Sequence, residues 1–174
     1  MERWILVSKT SNLRFLVIVA LFIALVALAT MVINIPMVAT QGFINVGDTV
    51  IFLSALLMGP RVGALAGGLG SALADVLLGY GHWAPWTLVI KAIEGCLAAL
   101  LGYHAYRQRE QISFRVVGAL VVAALWMVLG YYVVSGFIVG FAPALGSVPG
   151  NLIQGLGSVG LALPLLHAFR NLRL

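Results

Sequence analysis

Long apolar runs, broken by short clusters of proline, glycine and charge, make up nearly the whole chain. A helix that crosses a hydrocarbon core of about 30 Å needs about 20 predominantly apolar residues. The breaks, placed where Pro, Gly and charged residues gather, predict spans at about 13–33, 46–58, 62–80, 85–104, 116–137 and 148–169. The second is short and stops at Gly59-Pro60-Arg61. Between the spans lie a polar-tinged loop over 34–45, a tight turn near 80–85, the strongly charged 104–115 and the apolar 138–147. The expected fold class is all-α integral membrane: a bundle of six transmembrane helices in a single domain over 1–174.

Composition strengthens this reading. The chain is 62% hydrophobic and 9% charged, whereas a soluble domain carries about 25% charged residues. The single cysteine, Cys96, excludes a disulfide framework and reads as a small core residue. The net charge of +5 does not argue for nucleic acid, because the basic residues flank the spans. With six spans, Arg3, Lys9, Arg14, Arg61, Arg107, Arg109, Arg115, Arg170 and Arg173 all fall on one side, and only Lys91 lies elsewhere. The opposite loops hold no Lys or Arg. The positive-inside rule makes the basic side, with both termini, cytoplasmic. The N-terminus mimics a signal peptide, but its apolar run is too long for a signal core and more spans follow, so it reads as a retained helix.

Against this background Lys91 and Glu94 stand out, since an ionised side chain in hydrocarbon costs roughly 2.5–3.5 kcal/mol on insertion scales. If the 80–85 turn is centred near Trp83, Asp75 lies eight residues before it and Lys91 eight after. Equal offsets in an antiparallel hairpin mean equal depth, roughly 7–10 Å below the loop at 1.5 Å per residue, so Asp75 and Lys91 are expected to pair. Glu94, three residues on, shares a helix face with Lys91; either the site is net negative or Glu94 keeps its proton. Further polar residues gather at similar depth: Asn45 and Asp48 at the start of the second span, and Asn151, Gln154 and Ser158 in one stripe of the sixth. Tyr80, His82, Trp83, Trp86, Tyr131 and Tyr132 rim the same end. The inner halves of the spans carry few polar side chains.

Each residue also has a plain structural reading. Asp48 can charge a helix N-terminus, Trp83 and Trp86 can belong to an interfacial belt, Asn151 can cap the sixth span, and Asp75 with Lys91 can fix helix register. Taken together, intramembrane ionisable groups with amides and aromatics at one depth describe a small-molecule pocket. The small residues of the third span, Gly59, Gly63, Ala66, Gly67, Gly70 and Ala74, and of the first, Ala20, Ala24 and Ala27, permit close helix packing or a docking face for another membrane protein. No phosphate-binding G-x-x-x-x-G-K-[ST] loop, H-E-x-x-H pair or G-x-S-x-G turn occurs. The chain therefore offers no catalytic residue, metal set or cofactor site and does not read as an enzyme.

Two stretches, FINVGDTVIFLSALLMGPRVGALAGGLGSALADVLLGY and the following WAPWTLVIKAIEG, resemble the substrate-binding S component of energy-coupling factor (ECF) vitamin transporters, in the riboflavin, pyridoxine and hydroxymethylpyrimidine branch. The N-x-G-D, G-P-R and K-x-x-E-G elements and the glycine-rich third span carry the likeness, which is strongest over 42–102. The resemblance implies six helices in a prokaryotic cell membrane, a ligand site near the outer face under the first outer loop, and a complex with a membrane T component and two cytoplasmic ATPases. It assigns Ala20 and Ala24 to an A-x-x-x-A contact with the T component. It also implies toppling in the membrane to carry ligand inward, which loops free of Lys and Arg make less costly; an arginine at Val46 or Phe141 is then expected to slow uptake but not binding. The expected substrate-binding set is Asn45, Asp48, Asp75, Trp83, Trp86, Lys91, Glu94, Tyr131, Asn151 and Gln154. A neutral or weakly basic pyrimidine or pyridine vitamin precursor suits it best, with riboflavin or pantothenate as the other options. The rival readings are a stand-alone proton-coupled carrier using Asp75, Lys91 and Glu94, and a structural scaffold.

Overall fold

The computed structural model describes residues 2–37, 42–108 and 112–171. Arg109 and Arg173 lie outside the described residues, as do the side chains of Arg3 and Lys9. In chain order the elements are α1 (Glu2–Val32), β1 (Ile35–Met37), β2 (Gly42–Ile44), α2 (Gly47–Met58), α3 (Pro60–Leu77), α4 (Ala84–Gln108), α5 (Phe114–Val139), α6 (Phe141–Ala144), a 3-10 turn (Leu145–Ser147) and α7 (Val148–Asn171). Each predicted span therefore contains one long or medium helix. Among the described residues the fold is helical apart from one antiparallel strand pair, Ile35 opposite Ile44 and Pro36 opposite Phe43, inside the segment expected to be a plain loop. The 138–147 connection likewise folds, into α6 and the 3-10 turn.

Among the described residues, four segments are long and apolar enough to cross a membrane: Asn12–Val32, Ala84–Gln108, Phe114–Val139 and Phe141–Arg170. α2 has 12 residues, about 18 Å at 1.5 Å per residue, short of the hydrocarbon thickness. It is instead the central rod. α1, α3, α4 and α7 all pack on it, and Ile51, Phe52, Ala55 and Leu56 are wholly buried. The chain leaves α2 through Gly59 at φ +93° and re-enters a helix at Pro60. Glycine accepts that backbone geometry without a Cβ clash, and proline suits the first helical position because its missing N–H has no partner there.

The small residues of α3 set the spacing of the bundle. A Cβ on Gly67 would fall 2.6 Å from the Lys91 carbonyl oxygen, one on Gly63 2.8 Å from that of Gly95, and one on Gly70 2.8 Å from that of Ile23. α3 thus lies almost backbone to backbone with α4 on one side and α1 on another. Intrachain packing, the plainer of the two readings of this stripe, accounts for it. Below α2 the terminal end of the bundle is filled by Leu56, Ala98, Leu120, Ala124, Ala162 and Leu166. The opposite end, where the strand pair, the 78–83 turn and α6 lie, collects the polar side chains.

Candidate functional site

Most of the polar side chains at the hairpin end are removed from solvent. Asp48 and Glu94 are 0% exposed, Lys91 2%, and Asp75, Asn151 and Gln154 4% each. Burying such groups is unfavourable unless partners replace water, so the partners decide their roles. Lys91 Nζ forms an ion pair and hydrogen bond with Asp48 Oδ1. It also stands 2.9 Å from Glu94 Oε2, near enough to pair charges but without hydrogen-bond geometry, so neither oxygen of Glu94 accepts a hydrogen bond. Gln154 Nε2 donates to the second oxygen of Asp48 at 2.9 Å. Gln154 Oε1 accepts from the backbone N–H of Asn45 at 3.0 Å. Asn45 Oδ1 in turn accepts the Gly47 N–H at 2.8 Å, at the start of α2. One chain of contacts therefore links α4, α2, α7 and the end of the strand pair.

This arrangement corrects the expected Asp75–Lys91 pair. The close approaches of Gly67 to Lys91 and of Gly63 to Gly95 fix the α3–α4 register, and that register sets Asp75 level with the stretch near Trp83 and Thr87. Lys91 lies four to eight residues further along α4, about 6–12 Å deeper at the helical rise. The turn is centred nearer Gly79, at φ +86°, than Trp83, and this displaces the depth estimate. With glycine at 67, the Lys91 side chain passes α3 and reaches Asp48 on α2.

Above this trio is a cleft with a cavity of about 40 Å³, partly open to the outside of the bundle, lined by Thr30, Phe43, Asn45, Ser71, Asp75, Trp83, Thr87, Lys91, Tyr131, Ser135, Asn151 and Gln154. That is room for a few ordered waters, so a ring can enter only as side chains part. Aromatic rings form its walls. Trp83 meets Tyr131 edge-on with centroids 5.9 Å apart, and Phe43 of β2 packs on Tyr80 at 4.8 Å. Lys91 Nζ lies 5.7 Å from the Tyr131 ring centre, within cation–π range. Tyr131 donates its hydroxyl proton to Thr87 Oγ1 at 3.1 Å, and Thr87 adjoins the Asp75 carboxyl.

Seven of the ten expected residues line the cleft: Asn45, Asp75, Trp83, Lys91, Tyr131, Asn151 and Gln154. Asp48 and Glu94 do not; they lie behind Lys91 as its counter-ions. Trp86 does not either. It is 49% exposed, on the outer surface of α4, as an interfacial residue would be. Ala20 and Ala24 are exposed on α1. The cleft also uses Thr30, Phe43, Ser71, Thr87 and Ser135, which sequence reasoning did not select. Three of these were within reach of it: Ser71, Thr87 and Ser135 stand four residues from Asp75, Lys91 and Tyr131 on the same helix face.

Comparison with known proteins bears on this geometry. The family model described as "ECF-type riboflavin transporter, S component" matches residues 10–171. An uncharacterised protein of Pyrococcus woesei is 39% identical over 134 residues, 77% of this chain and 86% of that one. The thiamine precursor transporter HmpT of Lactococcus lactis subsp. cremoris is 26% identical over 144 residues, 82% of this chain and 80% of its own length. Among solved structures, one described as the S component of a bacterial ECF transporter superposes with a TM-score of 0.68 over 92% of this chain and 98% of that one, at 17% identity. That likeness concerns the fold. Membership rests on the family match over nearly the full length: this chain belongs to the family of ECF-type riboflavin transporter S components.

Proposed function

We propose that this protein is the substrate-capture subunit of an ECF-type uptake system, and that the cleft at the hairpin end holds a small vitamin or vitamin precursor. In this reading the single domain spans the membrane with six helices, α1 to α5 and α7, and both termini are cytoplasmic. The cleft then opens toward the outside. α2 crosses as a short inner rod shielded by its neighbours, which its burial permits. A T component and two cytoplasmic ATPases supply the energy, and the T component docks on α1 at Ala20 and Ala24. The ligand-contacting residues are Asn45, Asp75, Trp83, Lys91, Tyr131, Asn151 and Gln154, with Asp48 and Glu94 setting the charge of Lys91 from behind.

The observation that carries this reading is the convergence of unpartnered polar atoms on one cleft. Thr30 Oγ1, Asp75 Oδ2 and Trp83 Nε1 are buried and make no hydrogen bond, and all three residues line it. Buried polar groups are nearly always satisfied, so three orphans around one space mark a place for a partner. The lining also limits the ligand. Lys91 already has two carboxylates, which disfavours an anion such as pantothenate. Three aromatic walls suit a flat ring, and a pyrimidine or pyridine fits the narrow space better than the three-ring system of riboflavin. HmpT, named for a thiamine precursor, supports the same choice.

Isothermal titration of the purified protein with a pyrimidine precursor, a pyridine vitamin, riboflavin and pantothenate tests the reading. One of them binds one to one with submicromolar affinity, and the protein alone does not move it across a liposome. Gradient-driven transport by the chain alone makes it a carrier; no binding to any of them removes the capture role.

A further inference from the structure

The cleft contains a carboxyl group that the charged trio does not use. Lys91 is committed to Asp48 and Glu94. Asp75 is 4% exposed, its Oδ2 has no donor, and no other Lys, Arg or His lines the cleft among the described residues. Three carboxyl groups therefore share one ammonium. Thr87 accepts the Tyr131 hydroxyl proton, which leaves its own hydroxyl proton for one Asp75 oxygen; what is missing is an N–H or O–H donor for Oδ2. The register of α3 on α4 sets Trp83 level with Asp75. Trp83 is 5% exposed, and its Nε1–H lacks an acceptor. An unmet acceptor on α3 and an unmet donor in the turn that leads into α4 thus stand at one depth, beside the Tyr131 ring.

We propose that Asp75 and Trp83 determine specificity by reading opposite hydrogen-bonding functions on one edge of the ligand, an amino N–H donated to Asp75 and a ring nitrogen accepting from Trp83. The substrate class is then an amino-substituted aromatic N-heterocycle, in which an N–C–NH2 edge presents both functions side by side. This rests on the reading of the cleft as the capture site and sharpens it. An oxo-substituted ring of the same shape presents an acceptor to Asp75 and an N–H to Trp83, so both contacts are mismatched. Sites built around buried polar groups reject such isosteres strongly, because the protein's own groups are left unpaired.

The probes are 4-amino-5-hydroxymethyl-2-methylpyrimidine and its 4-oxo counterpart, titrated calorimetrically into the full-length protein in detergent. The wild type binds the amino compound at least tenfold more tightly than the oxo compound. In Asp75→Asn, whose amide offers both a donor and an acceptor, the preference falls below threefold. Trp83→Phe keeps the ring, loses the N–H, and weakens the amino compound about threefold to tenfold. The wild-type comparison needs no variant, so it decides even if a substitution impairs folding. Equal affinity for the two compounds, or an unchanged preference in Asp75→Asn, overturns the proposal. Binding of riboflavin or pantothenate without either pyrimidine overturns it but leaves the capture role standing; binding of none of the four removes both.

Discussion

Replacing Lys91 with methionine removes the one cation among three buried carboxyl groups while keeping an unbranched side chain of similar length. Asp48 keeps its contact with Gln154, but Glu94, which accepts no hydrogen bond, loses the charge that compensates it. Removing one partner of a buried ion pair costs about 3–5 kcal/mol. For a chain of this size each kcal/mol is worth about 2–4 °C in melting midpoint, so the midpoint in detergent should fall by roughly 6–20 °C. The triple variant Asp48→Asn, Lys91→Met, Glu94→Gln removes the uncompensated charge and should recover most of that loss, since a neutral replacement of a whole buried charge cluster is often close to neutral. Asp75→Asn should move the midpoint far less than Lys91→Met, because Asp75 has no ion pair to lose. Thermal unfolding followed by tryptophan fluorescence or a thiol-reactive dye at Cys96 reads all three. A midpoint for Lys91→Met within 2 °C of wild type, or an Asp75→Asn loss as large as the Lys91→Met loss, refutes the assignment of Lys91 to Asp48 and Glu94.

Other consequences follow from individual contacts. Gly67→Ala drives a methyl into the Lys91 carbonyl and should lower both the melting midpoint and ligand affinity. Gly157→Ala, where a Cβ meets nothing within 4 Å, should be neutral or stabilising by up to about 1 kcal/mol from helix propensity. Gln154→Ala strips partners from the Asn45 N–H and from Asp48 Oδ2, costs about 1–3 kcal/mol, and should speed proteolytic cleavage in the 34–45 segment. If a T component docks on α1, Ala20→Trp or Ala24→Trp should abolish co-purification with it and the ATPases while ligand titration stays unchanged; intact co-purification would move the docking face elsewhere. Leu145→Arg, at a position 57% exposed beside α6, should slow uptake by the whole transporter at constant affinity if that end must pass through lipid; an unchanged uptake rate argues against toppling.

Helix positions were legible in the sequence because apolar runs and Gly-Pro breaks report directly on burial and backbone geometry. α2 and the start of α7 lie within one residue of their predicted limits. The strand pair was not legible: three residues per strand carry too little alternation to register. The polar cluster could be identified as a set, since intramembrane charge is conspicuous, but its pairing could not. Pairing depends on the register between α3 and α4, which Gly63, Gly67 and Gly95 set through backbone contact. Counting from an assumed turn centre misplaced Asp75 by one to two helical turns. Trp83 and Trp86 show the same limit: two tryptophans three residues apart, one buried against Tyr131 and the other exposed. Helix rotation separates them, and composition carries no record of it.

A nutrient lodged among the unpartnered groups of the cleft should stay with the protein through gentle extraction. Native mass spectrometry of protein extracted from its own membranes in mild detergent tests this directly. The expected spectrum shows one retained small molecule per chain, released on collisional activation, with the mass of an amino-substituted heterocycle, and absent from protein carrying Asp75→Asn with Trp83→Phe. A spectrum containing only the bare chain, unchanged after incubation with vitamin precursors, would contradict it.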